Sequence, residues 1–356
     1  MNIGGIGIVF ARGRGIDSYR QTLEKGWSPP SLKETPFRDR PLPAYCVSPE
    51  SLTDKIVLKK VRRADRLSKM AVLAAWDAIA DSKINLDEIK SSLGIIVATA
   101  FGAHATTFRF LDDILEYGDS NVSPTTFSNS VHNAVGSYIA AVLDSHGPTL
   151  TLTQFAFSFH QALILAQSWL KEKRCENVLV GSVDEYAKVM GYICSRKLRI
   201  AEDGKIRPFQ FSETPLAVPG EGSAFFLIRG KDYPNNYCKV SRACVSASDH
   251  KEDEPDIYIF DADGMSEDES RYKGIAASGI LIGAYTPIFG SMMAGSSFSC
   301  AAAALMLKAQ IRYASPVVDN PHFANLCTAS QTAVIDKIYC VKYNCGLKKA
   351  IIELEK

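Results

Sequence analysis

Residues 149–183 read TLTLTQFAFSFHQALILAQSWLKEKRCENVLVGSV, and this stretch decides the fold class. Alternating threonines at 149–153 predict a β-strand, because β-branched residues favour extended backbone. After it, Phe159, Ala162, Leu163, Ala166 and Leu170 recur at helical spacing. The run VLVGSV at 178–183 predicts the next strand. A strand, helix and strand in this order predict a parallel pair joined by a right-handed crossover.

Similar elements extend outward from this unit. The apolar runs at 3–10 and 93–100 predict buried strands, and residues 65–81 place small and apolar side chains at helical spacing. In the second half a small-residue helix is predicted from about 298 to 310. Further strands are predicted at 238–245, 256–261, 279–283 and 349–354. The chain therefore predicts an α/β fold with two strand-rich halves and central helices.

Composition excludes several classes of protein. A net charge of +1 gives no general electrostatic attraction to nucleic acid or anionic lipid. No apolar run approaches the roughly 18 residues that a membrane span requires. Nine cysteines occur without CxxC spacing, which argues against a zinc site and a secreted disulfide framework. We therefore expect a cytoplasmic protein with reduced thiols that binds neither nucleic acid nor membrane.

Motifs for cofactors and metals are weak. GGIGIVF at 4–10 lacks a full GxGxxG pattern with a following helix, so it does not predict a dinucleotide site. The histidines are dispersed, with no pair at i, i+4, which argues against a metal centre. His132 and His160 lie next to apolar segments, where a packing role is the simpler interpretation. The sequence predicts no cofactor and no metal.

Ordered motifs from 65 to 307 carry a family resemblance. They are DRLSKMAVLAAWDAI at 65–79, LGIIVATAFGAH at 93–104, the segment from VSPTTFSNSVHN to GSVDEY at 122–186, RPF at 207–209, GEGSAFFLI at 220–228 and SMMAGSSFSCAAAALML at 291–307. Together they resemble the β-ketoacyl-acyl carrier protein synthase family of the thiolase-like superfamily. The resemblance implies a layered αβαβα fold of two related halves, 1–230 and 231–356. The second half is trimmed, and the family's glycine-rich C-terminal loop is reduced to residues 344–347.

The resemblance also implies that the catalytic set is degenerate. The family's nucleophilic cysteine falls on Ala156, and its two catalytic histidines fall on Asp263 and Ser291. A nearby family lysine falls on Thr286. Condensation needs a thiolate that carries the acyl chain and imidazoles that assist decarboxylation. Ser158, beside the nucleophile position, has no paired base, so we expect no condensing activity.

Six residues are candidates for a substrate pocket. Phe101 follows the glycine-rich turn where the family bounds its acyl pocket, and the neighbouring candidates lie on two segments. They are Thr126, Phe127 and Val131 on the SP…N segment, and Phe155 and Phe157 on the degenerate nucleophile turn. Phe101 either sets a floor for an acyl chain or simply fills the core, since aromatic residues are commonly buried.

Partners follow from the same resemblance. Family members form dimers in which the strand here at 149–153 meets its two-fold mate. Type II polyketide systems pair a condensing subunit with a chain-length factor that lacks the cysteine, and this sequence resembles the latter. We therefore expect a ketosynthase partner or a homodimer, and an acyl carrier protein. Two alternatives stay open: a residual acyltransferase or hydrolase, and a homodimeric protein that binds acyl chains or carrier proteins.

Overall fold

A computed structural model of the protein describes residues 1–36, 38–231, 234–246, 254–344 and 348–356. Most of the reduced C-terminal loop predicted at 344–347 therefore lies outside the described residues. Within the described ranges no helix is long and apolar enough to cross a membrane.

Strands and helices are interspersed along the chain. The strands are β1 (Asn2–Phe10), β2 (Gly13–Arg14), β3 (Ser31–Lys33), β4 (Leu42–Ala44), β5 (Gly94–Thr99), β6 (Thr149–Thr153), β7 (Asn177–Asp184), β8 (Gly222–Arg229), β9 (Cys238–Ser246), β10 (Ile257–Phe260), β11 (Leu281–Gly283), β12 (Ile311–Arg312), β13 (Gln331–Thr332), β14 (Lys337–Tyr343) and β15 (Lys349–Glu355). The helices are α1 (Ile16–Lys25), α2 (Val57–Lys60), α3 (Arg66–Ser82), α4 (Leu86–Ile89), α5 (His104–Tyr117), α6 (Pro124–Ser130), α7 (Ala134–Leu143), α8 (Ser158–Lys171), α9 (Lys188–Lys197), α10 (Tyr272–Ala276), α11 (Thr286–Phe289) and α12 (Ser296–Ala309).

The first half forms a five-stranded mixed array in the order β6-β5-β7-β8-β1. Strand β5 lies between β6 and β7 and runs parallel to both, so the two strands predicted from 149–183 are parallel but are not adjacent. Strands β7, β8 and β1 are antiparallel neighbours. The array therefore combines parallel crossovers on one side with an antiparallel pair on the other.

The second half repeats this arrangement. Its order is β11-β10-β14-β15-β9, with β10 parallel to β11 and β14, and with β14, β15 and β9 antiparallel. The two arrays join where Asn2 and Ile3 of β1 pair with Lys239 and Cys238 of β9. The predicted fold of two related halves is confirmed. We propose that the halves divide between residues 230 and 231, in the connection from β8 to β9.

Three apolar layers accompany the two arrays. The central core contains Phe159 and Ala166 of α8 and Phe298 and Ala302 of α12, packed between the halves. A second core lies under α3 and α7 on the outer face of the first array. The third core, on the second array, is largely aromatic and includes Phe211, Phe260 and Tyr272. This succession of helices and sheets is the layered αβαβα architecture.

The second half is the smaller one. Between β5 and β6 the first half inserts α5, α6 and α7, whereas α10 alone lies between β10 and β11. The buried aromatic rings of the third core take the place of longer covering helices. Phe260 and Tyr272 pack with ring centroids 4.6 Å apart, and Tyr272 and Tyr343 meet edge to face at 4.9 Å.

The glycines at the start of the chain allow close packing of a helix on a strand. A Cβ at Gly5 would lie 2.2 Å from the Ala78 carbonyl oxygen, and a Cβ at Gly7 would lie 2.0 Å from the Ala74 carbonyl oxygen. Both obstacles belong to the backbone of α3, which cannot retreat without leaving β1. This packing explains the GGIGIVF motif without a nucleotide.

Gly7→Val should therefore destabilise the protein by about 3 kcal/mol or more, at or above the upper end of ordinary overpacking. The matched control is Gly274→Ala, because a Cβ at this exposed glycine of α10 has open space around it. Urea unfolding followed by circular dichroism measures both free energies. Equal stability of the two variants would contradict the packing explanation.

Candidate functional site

The turn that carries the first catalytic position joins β6 to α8. Ala156 lies in this turn, is 5% exposed, and packs with Phe157, Val245 and Ala350. Its methyl group therefore contributes to an apolar contact between the two halves. The position offers no nucleophile.

Two polar side chains follow in α8, and neither is activated. The hydroxyl of Ser158 is buried and has no hydrogen-bond partner in the described structure. His160 is 1% exposed, and burial lowers its pKa to about 3, so its imidazole is neutral. Its Nδ1 atom also lacks a described hydrogen-bond partner. Among the described residues, no base forms a hydrogen bond with the Ser158 hydroxyl.

Asp263, at the second catalytic position, belongs to a buried ion cluster. Lys342 Nζ in β14 donates to Asp263 Oδ2 at 2.8 Å and to Asp261 Oδ2 at 3.4 Å. The side chains of all three residues are at most 5% exposed. Asp261 also accepts hydrogen bonds from the hydroxyls of Ser296 and Ser299 at the start of α12. The Asp263 carboxylate is therefore paired with the Lys342 ammonium group in the core.

Electrostatics favour a charged lysine in this cluster. Burial alone would lower the pKa of Lys342, but Asp261 and Asp263 more than offset it and raise the pKa above its ordinary value. Burial raises the pKa of Asp263, and Lys342 opposes that rise. A buried charge needs a partner and satisfied hydrogen bonds, and the cluster supplies both.

The third position, Ser291, is committed to backbone hydrogen bonds. Its Oγ donates to the Asp263 carbonyl oxygen and accepts from the Val218 amide at 2.9 Å. The adjacent Thr286 donates to the Ala262 carbonyl oxygen at 2.8 Å. The structure thus brings Asp263 and Ser291 together through a hydrogen bond from the Ser291 hydroxyl to the Asp263 backbone.

Glu269 lies beside this cluster, and its pKa is raised in the folded protein. It is 2% exposed and accepts a hydrogen bond from the Gly264 amide at 2.8 Å. Burial, followed by the proximity of Asp263, raises its pKa to about 8. Glu269 is therefore mainly protonated at neutral pH in the folded protein, whereas an unfolded glutamate is ionised.

A pH dependence of stability follows from Glu269. Because its folded pKa lies above its unfolded value, its contribution to stability is complete below about pH 4.3 and is lost as the pH rises toward 8. Relative to Glu269→Gln, the wild type should lose about 1.4 kcal/mol per pH unit in this window. Urea unfolding of both proteins at pH 5.5 and 7.5 measures this difference. A pH-independent difference would show that Glu269 does not take up a proton on folding.

Phe101 lines a small cavity that also reaches Ser291. The cavity measures about 20 Å³ and is bordered by Glu185, Met292 and Met293 among others. The ring of Phe101 packs at 5.2 Å from that of Phe155. Phe101 is the pocket candidate that lies at this cavity.

The remaining pocket candidates are placed elsewhere. Phe127 and Phe155 are 56% and 61% exposed, Val131 is 42% exposed, and Thr126 is half-buried. Phe157 lies in the core between the halves and packs edge-on against His160. The described chain therefore does not gather the six candidates into one cavity.

The exposed candidates belong to a wider apolar surface around β6. Helix α5 presents Phe108, Leu111 and Leu115 at helical spacing, and they are 45%, 47% and 85% exposed. Phe110 of the same helix contacts Phe127, with ring centroids 5.5 Å apart. Leu150 of β6 is 41% exposed. We call this set of α5, α6, Val131, β6 and Phe155 the β6 surface.

Strand β6 itself ends the sheet. Its ladder with β5 is bracketed by the Pro148 carbonyl, which accepts from Ile95, and by the Gln154 amide, which donates to Thr99. Even-numbered residues of β6 thus face β5, and the backbone groups of Thr149, Thr151 and Thr153 face the open edge. No strand covers that edge among the described residues.

Sequence reasoning missed three polar residues near the catalytic positions. Lys342 interrupts an apolar strand, which was an available sign of a buried charge. Glu185 follows β7 directly and lines the cavity with Phe101. His104 begins α5 and is 8% exposed. Their proximity depends on contacts between segments about 80 residues apart, which a single sequence does not reveal.

The amino-acid sequence that forms this site matches a known protein family. Residues 2–232 match the family described as "Beta-ketoacyl synthase, N-terminal domain". The chain is 21% identical over 184 residues to 3-oxoacyl-[acyl-carrier-protein] synthase 2 of Staphylococcus aureus, which covers 50% of this chain and 45% of that enzyme.

Solved structures share the fold across the whole chain. "The ishigamide ketosynthase/chain length factor" matches with a TM-score of 0.79 and 16% identity, covering 100% of this chain and 98% of that one. A type II polyketide acyl-carrier protein in complex with its ketosynthase matches with a TM-score of 0.75 and 12% identity, covering 99% and 98%. The regions that match by sequence cover only part of the curated relatives. They make up between 14% and 56% of the full length of three such relatives.

Proposed function

The chain belongs to the β-ketoacyl synthase family, and from this premise we propose that it is a non-condensing subunit of polyketide or unusual fatty-acid synthesis. In this proposal it pairs with an active ketosynthase, as a chain-length factor does. It would act in the cytoplasm. Two similar folds, one titled ketosynthase/chain length factor and one a ketosynthase with its carrier protein, support this assignment.

The observation that carries the proposal is the state of the catalytic positions. Ala156 is packed in an apolar contact, Asp263 is paired with Lys342, and Ser291 holds two backbone groups. Loss of the covalent nucleophile removes the acyl-enzyme pathway. Asp263 and Ser291 are engaged in contacts that hold the core together. This state of the three positions supports a subunit that does not carry out condensation.

The β6 surface supports association with a second subunit. An open strand edge is a template for pairing with another strand, and exposed apolar patches are typical of interfaces. Here β6 has an open edge, and α5 exposes an apolar stripe of its own. We propose that a ketosynthase subunit covers this surface, with a homodimer as the alternative outcome.

A basic segment supports interaction with an acyl carrier protein. Lys55, Lys59, Arg62 and Arg63 are exposed on one short stretch of a chain whose net charge is +1. Nearby, Lys33, Arg66 and Lys188 line an open groove of about 480 Å³ that also borders Glu34 and Glu221, and Glu221 is paired with Arg66. The adjoining residues Gly220 and Glu185 line the cavity at Phe101. This arrangement suits an acidic partner that delivers a chain to the cavity.

Within this function we propose that Phe101 limits the length of the acyl chain. Phe101→Ala removes the ring from the cavity, and the space it leaves admits several methylenes that close packing excludes in the wild type. The reconstituted pair should then release longer products, as measured by mass spectrometry. Phe323→Ala, which removes an exposed ring outside both the cavity and the β6 surface, is the control. Unchanged products from an intact Phe101→Ala complex would refute the gate.

Co-expression with a candidate ketosynthase tests the function directly. We expect a stable 1:1 complex, with size from light scattering and composition from mass spectrometry. A homodimer that ignores ketosynthases would favour the binding-protein alternative. Turnover of acyl thioesters by the pure chain, abolished in Ser158→Ala, would favour a residual acyltransferase or hydrolase.

A further inference from the structure

Helix α5 buries little of its surface in the described chain. Of its 14 residues only His104 is buried. The side chains of Phe108, Leu111 and Leu115 are exposed, so apolar burial contributes little to holding the helix in place. A helix of this length is marginal in water on its own, because most helical stability in proteins comes from packing of an apolar face. Helix α5 therefore depends on its contact with α6 and on the polar contacts at its start.

Two carboxylates from other segments hold the first turn of α5. The Ala105 amide donates to Glu185 Oε1 at 3.2 Å, and the Thr106 hydroxyl donates to Asp65 Oδ2 at 2.9 Å. Glu185 directly follows β7, and Asp65 caps the start of α3. The cap residue of α5 itself, Ala103, supplies no side-chain hydrogen bond. We call the contacts of α5 with Glu185 and Asp65 the α5 latch.

The latch lies among several charged groups. Glu185 is 5% exposed, and it faces Asp65 and Arg66 at the start of α3 and Glu221 just before β8. Burial, followed by the proximity of Asp65, raises the pKa of Glu185 to about 8; Glu221 adds to the rise and Arg66 opposes it. Arg66 is itself paired with Glu221. Glu185 is therefore mainly protonated at pH 7 while α5 is in place.

His104 adds a second proton-binding group to the closed latch. It is 8% exposed, and its Nδ1 atom lies 3.9 Å from Glu185 Oε1, too far for a hydrogen bond. Neither ring nitrogen has a hydrogen-bond partner among the described residues. Burial lowers the pKa of His104, so its imidazole is neutral at pH 7. A buried polar group without a partner costs free energy that is recovered in water, so hydration of His104 favours an open position of α5.

We propose that α5 is a detachable helix, held closed by Glu185 and Asp65 and released when its first turn leaves these carboxylates. Release brings His104 and Glu185 into water, where the imidazole hydrogen-bonds and the carboxyl group ionises away from its acidic neighbours. The link between a buried carboxyl group and the start of the helix makes release sensitive to pH.

The direction of this pH dependence follows from the two groups. The closed state holds one more proton on Glu185 between about pH 4.3 and 8, because its closed pKa is raised. The open state holds one more proton on His104 just below about pH 6.5, because the closed pKa of His104 is lowered. The two differences cancel just below pH 6.5. Rising pH therefore drives release between about pH 6.5 and 8, where Glu185 acts alone.

Release of α5 has a consequence for association. Because α5 supplies the exposed stripe of the β6 surface, its release removes part of that surface. We expect association with a ketosynthase to weaken over the same pH range. This consequence rests on the proposed function, whereas the latch is a property of the chain alone.

Hydrogen–deuterium exchange of the full chain, read out by mass spectrometry of peptides, tests the latch. Peptides of α5 should be less protected than those of α3, which buries most of one face. After correction for the intrinsic exchange rate, protection of α5 should fall by about tenfold per pH unit between pH 6.5 and 8. Glu185→Gln keeps an oxygen for the Ala105 amide but cannot ionise, so its α5 protection should not vary in this range. Glu269→Gln, which replaces a different buried glutamate, should retain the dependence.

The second tether is tested at a single pH. Thr106→Val removes the hydroxyl that donates to Asp65 and keeps the shape of the side chain. At pH 7 it should increase exchange in α5 by about fivefold, the equivalent of one net hydrogen bond, without a matching increase in α3. Thr214→Val, at an exposed threonine of the loop before β8, is the control and should exchange like the wild type.

The outcomes separate the latch from the proposed function. Protection of wild-type α5 equal to that of α3, a pH-independent α5, a dependence that persists in Glu185→Gln, or unchanged exchange in Thr106→Val would overturn the latch. The wild-type measurement needs no variant, and near-ultraviolet circular dichroism establishes that each variant is folded. Failure of the wild type to co-purify with a ketosynthase would count against the proposed function alone.

Discussion

Lys342→Met is expected to lower the free energy of unfolding by about 3–5 kcal/mol, because removal of one partner leaves buried charge uncompensated. Lys342 is the cation that faces both Asp261 and Asp263 in the core. Methionine has a similar length, so the loss reports on charge more than on volume. Urea unfolding at pH 7 measures the effect.

Lys90→Met is the matched control for this experiment. Lys90 also faces two carboxylates, those of Asp87 and Asp144, but these are 80% and 63% exposed. Exposed ion pairs contribute little net stability, so this variant should be nearly as stable as the wild type. Adding Asp261→Asn and Asp263→Asn to Lys342→Met should recover part of the loss. Similar losses in Lys342→Met and Lys90→Met would show that the buried cluster is not a major source of stability.

Thr151→Pro is expected to convert the associated protein into folded monomers at micromolar concentration. The Thr151 amide faces the open edge of β6, so proline removes a donor from that edge and leaves the ladder with β5 intact. Leu152 is a poorer position for such a test, because it packs against the central core and its loss would disturb folding. Light scattering measures the mass of the particle.

Thr151→Val provides the control, since it retains the backbone amide and a β-branched side chain. It should associate like the wild type, alone or with a ketosynthase. If Thr151→Pro is folded and associates as strongly as Thr151→Val, strand pairing at β6 is not the basis of association. A wild type that is monomeric both alone and with its ketosynthase would rule out the interface altogether.

Most strands and helices of the first half could be predicted from the sequence, because each has its own local pattern of apolar residues. Strands β1, β5, β6 and β7 and helices α3 and α8 have clear apolar patterns, and each lies within a few residues of its expected range. Helices α5 and α7 were missed. Helix α5 places Phe108, Leu111 and Leu115 on its exposed side, so its apolar pattern does not mark a core-facing helix. Strand β14 was missed as well, because Lys342 interrupts its apolar run.

The candidate site was predictable only as far as the family motifs reach. The resemblance located Ala156, Asp263 and Ser291, and the structure brings Asp263 and Ser291 into contact. It could not reveal that Lys342 pairs with Asp263, since the two residues lie on separate strands 79 positions apart. The proximity of His104 to Glu185, whose Nδ1 and Oε1 atoms are 3.9 Å apart, likewise requires the start of α5 to lie near the end of β7. Such contacts arise from tertiary packing, which single-sequence patterns do not encode.

On the ribosome, the two halves emerge one after the other. All five strands of the first array lie within residues 2–229, and those of the second array begin at residue 238. The nascent chain can therefore complete one array while the other is still being synthesised, as domains generally do. Until β9, β15 and α12 arrive, the apolar side of α8 that they cover stays exposed to solvent. The newly made first half is thus the species most in need of a chaperone.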